Sequence, residues 1–329
     1  MAHTLTTLLR SIDYQKLPIS DYNKRYIARM MPALDYYMDI YLRGLRTMLS
    51  HTDKALGEVT LVDYGGGHGF LSLLAKEQGI GRVVYVDFNP DSVATVKAVG
   101  DSLAAMGHGR LAPDDIVTGD AHVLRAWCEA EGVVPDIVMG MDVTEHIYCL
   151  DDFFADLLAV APHVNMLFTT ASTPHNRRVV RRLHAVMVRD EEVFRGRRRS
   201  FIQKHYPNFA EDKLDYWAIH TRGLNYDDIL RAVDSETPNL LCDPYNTCDP
   251  DTGSWTERIL PIGDYRTMLQ SYGYGLQEEN GFYNEYRGGL KGWLSRRRNR
   301  RLAQGRCRRL APFLYLIAAP ADDSADRIL

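Results

Sequence analysis

The chain has 329 residues, with 45% apolar and 25% charged side chains and a formal net charge of −4. That length excludes a miniature fold held by disulfides, and the composition excludes a disordered chain. No apolar run approaches the ~20 residues of a membrane span, and the first residues show no basic, apolar and cleavage pattern of a leader, so a cytoplasmic protein with no membrane partner is expected. Cys128, Cys149, Cys242, Cys248 and Cys307 form no CxxC pair, and reduced thiols are expected.

In chain order, Ile27, Met30, Met31, Leu34, Tyr37, Met38, Tyr41, Leu42 and Leu45 recur at helical steps between Asp21 and Leu49. They predict a helical cover over 1–56. The run VTLVDY then predicts a strand, and HGFLSLLAKEQG predicts a helix ending at Gly79. RVVYVD reads as a second strand, followed by a helix that Asn89 caps and Pro90 opens. DDIVTGD and PDIVMGM read as the third and fourth strands, with a helix over about 121–130 between them. Asp151 is expected to cap the next helix, with Phe153, Phe154, Leu157 and Leu158 facing inward, and VNMLFTT is the fifth strand. This alternation predicts a parallel sheet covered on both faces, an α/β core over 57–171.

After Thr170 the rhythm breaks, and 172–258 is expected to be a mainly helical insertion on the acceptor side. The core resumes over 259–329 with a helix at about 264–272 and two strands, YGLQEENGFY and APFLYLIAAP, as a terminal hairpin.

Chemistry concentrates first in LVDYGGGHGF. Gly65, Gly67 and Gly69 permit a sharp turn and leave room for a ligand at a helix N-terminus. Asp87, ending the second strand, is placed to accept hydrogen bonds from ribose hydroxyls. A dinucleotide site is one reading. Against it, Phe70 stands where GxGxxG/A requires a small residue, and Asp63 puts a negative charge beside the turn, which favours a cationic ligand over a pyrophosphate.

These residues resemble the first motif of the class I S-adenosyl-L-methionine (SAM)-dependent methyltransferases, an acidic residue followed by xGxGxG. The resemblance implies a Rossmann-like seven-stranded sheet, with Asp63 and Gly65 holding the methionine end, Gly67 and Gly69 completing the turn, Asp87 on the ribose and Phe88 against adenine. Asp120 and Ala121, in a GDA segment after the third strand, resemble the family's adenine-recognition segment.

A second constellation follows the fourth strand in MDVTEHIYCLDDF. Asp142, Glu145 and His146 are spaced as in the Glu-His segment of ubiquinone-pathway O-methyltransferases and small-RNA 2′-O-methyltransferases, and His220 is similar to a downstream histidine of the RNA-methylating family. The resemblance implies a divalent ion, magnesium or manganese, on these four residues, polarising an acceptor hydroxyl. The alternative is a site without metal, in which His146 is the general base, His220 the second candidate, and Glu145 a cap or a contact to the methionine region.

Two arginine-rich stretches, Arg177 to Arg199 and Arg296 to Arg309, read either as solvated helix faces or as binding surfaces for an anionic acceptor. The acidic total and the lack of a recognised RNA-binding module favour O-methylation of a small molecule over RNA. A nicotinamide-dependent oxidoreductase and a silent SAM-fold binding subunit are the rival readings. Oligomeric state is not legible.

Overall fold

The computed structural model describes residues 2–305 and 307–321; Arg306, one member of the second arginine stretch, lies outside them. Three helices come first: α1 (Ala2–Ser11), α2 (Asp21–Met30) and α3 (Leu34–Leu49). The apolar face expected as one run is broken at Met31–Ala33, where Pro32 lies in a single 3-10 turn. Ile27, Met30, Leu34, Met38 and Leu45 are nonetheless buried.

The core then alternates: β1 (Thr60–Tyr64), α4 (Phe70–Glu77), β2 (Arg82–Asp87), α5 (Pro90–Ala105), β3 (Asp115–Thr118), α6 (Ala121–Glu131), β4 (Ile137–Met141), α7 (Leu150–Val160) and β5 (Asn165–Thr170). Asn89 caps α5 through its side chain as expected, accepting from the Asp91 amide. The cap expected of Asp151 is corrected: Cys149 holds the N-cap position of α7 without a side-chain bond, and Asp151 sits in the first turn. Phe153, Phe154 and Leu157 are buried there and Leu158 is half-buried.

The insertion carries α8 (Arg177–His205), α9 (Glu211–His220) and α10 (Tyr226–Asp234). These three helices share a small core of their own, built on Ile202, Leu214, Trp217, Ile229 and Val233. The chain returns through α11 (Ile262–Ser271) to β6 (Tyr274–Asn280), α12 (Gly289–Ala303) and β7 (Leu314–Pro320). The terminal hairpin is corrected too, because a 15-residue helix, α12, interrupts it.

All seven strands form one sheet in the order β3-β2-β1-β4-β5-β7-β6. β1 pairs in parallel with both β2 and β4, whereas β7 runs antiparallel to β5 and β6. Strand order therefore reverses at β1, and the crevice between the carboxyl ends of β1 and β4 is the switch point at which open α/β sheets bind ligands. The five cysteines are free thiols. No helix among the described residues is long and apolar enough to cross a membrane.

Candidate functional site

The turn after β1 occupies that switch point. Gly65, Gly67 and Gly69 all have positive φ, at 64°, 54° and 74°, a region that side chains with a Cβ rarely enter. A Cβ on Gly65 would lie 2.3 Å from Val143, and one on Gly66 would strike Tyr85 and the Asp63 carboxylate. Beside Gly67, by contrast, there is open space. The backbone is thus packed from below and free above, which is what close approach of a ligand requires. Gly69 is the N-cap of α4, so a helix N-terminus follows immediately, with the Gly69 amide bonded to the Gly66 carbonyl and the Ser72 amide to Asp63.

Two carboxylates brace this turn. Asp87 is buried, accepting from the Gly67 amide at 2.9 Å and from the Asn89 amide at 2.8 Å. Burial raises its carboxyl, and the two amides offset part of that rise. Asp63, wholly inside, accepts from both the hydroxyl (2.6 Å) and the amide (2.9 Å) of Ser72 on α4. Burial pushes its carboxyl up to about 7 in spite of those bonds. Phe88 follows Asp87 with 64% of its surface exposed, a free aromatic face at the crevice rim. Asp120 caps α6 by accepting from the Val123 amide, and Ala121 is buried behind it. Phe70, the residue that argued against a dinucleotide, is buried in a cluster with Leu5, Leu9 and Ile27 of the N-terminal helices.

Sequence reasoning missed how the helical cover meets this turn. His68, between the second and third glycines of the motif, stacks on Tyr26 of α2 with ring centroids 4.8 Å apart, and burial lowers its pKa to about 4. Asn23, also on α2, is pinned to α5 by bonds to the Thr95 hydroxyl (2.8 Å) and the Asp91 carbonyl (3.0 Å). No spacing rule announces such contacts between distant segments.

Val143 packs onto Gly65, so the second constellation lies directly against the first. Asp142 takes a positive φ of 54°, and its carboxylate accepts from the Thr169 hydroxyl at 3.1 Å. Its surroundings raise its carboxyl, against the Thr169 hydroxyl that lowers it, although Asp142 is an exposed residue. The phenols of Tyr26, Tyr36, Tyr37 and Tyr41 are all raised by burial, with the charge of Asp142 acting behind it.

Glu145 and His146 diverge. Glu145 is fully buried; its Oε1 accepts from the Thr170 hydroxyl and the Ala171 amide, both at 3.0 Å, and its Oε2 has no partner among the described residues. Burial and the neighbouring Asp142 hold its carboxyl well above the usual range. His146 points the other way, with Nδ1 2.8 Å from the carbonyl oxygen of Trp255. The end of the insertion is zipped onto this segment: the Trp255 amide donates to the His146 carbonyl, the Arg258 amide to the Glu145 carbonyl, and the Trp255 indole to the Tyr148 carbonyl.

The expected metal set is corrected on this geometry. Asp142, Glu145, His146 and His220 are not brought together, and no group of three or more His, Cys, Asp or Glu among the described residues is placed to hold a metal ion. Adjacent residues in a turn send their side chains apart, as Glu145 and His146 do. His220 ends α9, bonded to the Tyr216 carbonyl and stacked on the Tyr216 ring.

A glycine turn at the switch point of a sheet with this strand order decides the fold. It is a Rossmann-like seven-stranded sheet. No family model matches the chain, and no curated protein matches it. Among solved structures it is similar to Haemonchus contortus phosphoethanolamine N-methyltransferase 2 bound to SAM, at 13% identity and a TM-score of 0.41, over 86% of this chain and 53% of that one. It is also similar to the plantazolicin methyltransferase BpumL in complex with SAH, at 11% identity and a TM-score of 0.41, over 97% of each chain. A third likeness is to a SAM-dependent methyltransferase from Mesorhizobium loti, at 14% identity and a TM-score of 0.38, over 83% of this chain and 96% of that one. The functional reading rests on the site residues, not on these likenesses.

Proposed function

We propose that this protein is a SAM-dependent methyltransferase acting on a hydroxyl oxygen, without a metal. The observation that carries the donor is the turn itself: three positive-φ glycines with open space at Gly67, braced by Asp87 and followed by a helix N-terminus. When bound, SAM supplies an electrophilic methyl on a cationic sulfur. Asp87 is placed to hold the ribose, Phe88 to cover adenine, and Asp63 to meet the cationic methionine end once it is ionised. Asp142, beside the Val143 that packs on Gly65, would border the space in front of the turn.

The Trp255 carbonyl can only accept, so His146 carries its hydrogen on Nδ1 and leaves the Nε2 lone pair free. That is the tautomer a general base needs. His146 would take the proton of the acceptor hydroxyl as the oxygen attacks in line with the methyl. His220, at the end of α9 with its ring on Tyr216, has no part in this step.

Calorimetric titration with SAM and SAH tests the donor: binding is expected, and the absence of both at millimolar concentration would end the proposal. Asp87→Ala should weaken SAM by about 1–3 kcal/mol through lost charge-assisted bonds. For the base, His146→Gln should lower methyl transfer about 10²- to 10⁴-fold at unchanged SAM affinity. A chelator should change nothing; loss of activity on chelation, restored by magnesium or manganese, would overturn the metal-free reading.

A further inference from the structure

The antiparallel β7 pairs Leu314 with both Thr170 of β5 and Asn280 of β6, so the end of β6 and the start of β7 lie at the same carboxyl edge as the glycine turn. Everything connecting them, α12 included, is displayed at that edge. The loop that leads into α8 leaves it as well, since Ala171 bonds Glu145 and Ser172 bonds Glu257. The arginine stretches that the methyl-transfer reading does not use therefore both sit beside the cleft.

They also adjoin each other. Asn176, the cap of α8, donates to the Ala311 carbonyl at 3.0 Å, and His175 and Arg308 meet on one carboxylate, Glu278, at 3.3 and 3.2 Å. No Asp or Glu occurs from 286 to 321 or from 177 to 189. α12 is held by a thin seam of Gly292, Ser295 and Leu302; Leu290 and Trp293 are exposed in its first two turns, and arginines dominate its surface from Arg296 onward. Arg297, Arg300 and Arg301 are exposed, as are Arg177 and Arg181 on α8, and none of the five has a carboxylate partner among the described residues. The exposed Trp293 ring lies under the Arg297 guanidinium at 5.6 Å.

We propose that α12 and the first turns of α8 form a docking surface for the phosphate backbone of a nucleic acid, laid along the carboxyl edge. Unpaired guanidinium groups suit phosphate, which they bind through planar paired donors. Trp293 supplies a ring on which a base can stack. A lipid surface would need a continuous apolar face, whereas the exposed apolar residues of α12, Leu290 and Trp293, are confined to its first two turns and arginine follows along the rest. The net charge of −4, which favoured a small acceptor, conceals this separation of charge.

The test is fluorescence anisotropy with labelled single-stranded RNA and DNA of about 20 nucleotides and one sequence, across a salt series. Binding of either is expected, with log affinity falling linearly in log salt. Joint reversal of Arg297, Arg300 and Arg301 to Glu should weaken it more than tenfold and reduce the salt slope by about two. Reversal of Arg177 and Arg181, a separate pair on α8, should also weaken it, and Lys97→Glu on α5 should not. SAM titration of each variant reports whether the fold and donor site persist, so failure of the donor reading and failure of this one are read separately. No binding at 50 mM salt, equal binding by both reversed variants, or binding to phosphatidylserine vesicles but to neither nucleic acid would overturn the proposal.

Discussion

Asp63 couples the donor site to pH. In an unfolded chain its carboxyl ionises near pH 4, whereas in the fold burial raises it to about 7. Between about pH 4 and pH 7 the folded state holds a proton that the unfolded state has released, so stability conferred at low pH is lost as pH rises through that window. Glu145, also raised, acts in the same direction. The ligand-free protein should therefore melt at a higher temperature at pH 5.5 than at pH 8, while a cationic ligand should bind more tightly as pH rises through 7 and Asp63 ionises. Ser72→Ala removes a bond that favours the charged form and should move the midpoint of SAM affinity to higher pH. Calorimetric affinities that stay flat from pH 6 to 8 in both proteins would detach Asp63 from the ligand. The three glycines and Asp87 were legible in the sequence because a positive φ and a strand-end carboxylate are local requirements. His68 and the opposed directions of Glu145 and His146 were not, since they depend on which distant segment each side chain meets.

Among the elements, α12 escaped a reading by periodicity for a physical reason. Its seam is Gly292, Ser295 and Leu302, with Asn299 bonded to Tyr283 and Glu285, so it packs through small and polar groups and shows no apolar stripe. The break between α2 and α3 had a visible cause in Pro32, yet the apolar spacing runs through it undisturbed. The insertion hides a different dependence. Arg198 of α8 is wholly buried, donating to the Ala218 carbonyl at 2.9 Å and pairing with Glu191 at 2.6 Å. Arg198→Met would leave Glu191 with only the Thr247 hydroxyl among the partners seen here. A loss of about 3 kcal/mol is expected, the lower part of the range for breaking a buried pair because Glu191 keeps some solvent contact. Pairing it with Glu191→Met should recover part of the loss, since both charges are then gone. Because the insertion has its own core, SAM affinity should survive in both variants; a change in the denaturation midpoint below 0.5 kcal/mol, a rough limit for surface substitutions, would show that the pair carries no stability.

At the scale of the molecule, the strand alternation announced the parallel core, but the order β3-β2-β1-β4-β5-β7-β6 and the reversal of β7 come from pairing between strands far apart in the chain, as Thr170 with Leu314 shows by its numbering. What that order does is bring the Asp63 turn, the Asp142 segment, the insertion's last turn at Trp255 and the α12 connection to one edge. A ligand seated at that edge would lie between segments far apart in the chain, so binding should stabilise the whole fold rather than one loop. SAM at about a hundred times its dissociation constant should add about 2.7 kcal/mol, seen as a rise of several degrees in melting temperature. NAD at the same concentration should give none, because Asp63 stands beside the place its pyrophosphate would take and Phe70 fills the position where that fingerprint needs a small residue. A shift with NAD and not with SAM would reassign the crevice to a dinucleotide. The Asp87→Ala protein sharpens the comparison: its own melting temperature without ligand should stay within a few degrees of the parent, and the increment from SAM should shrink with the affinity.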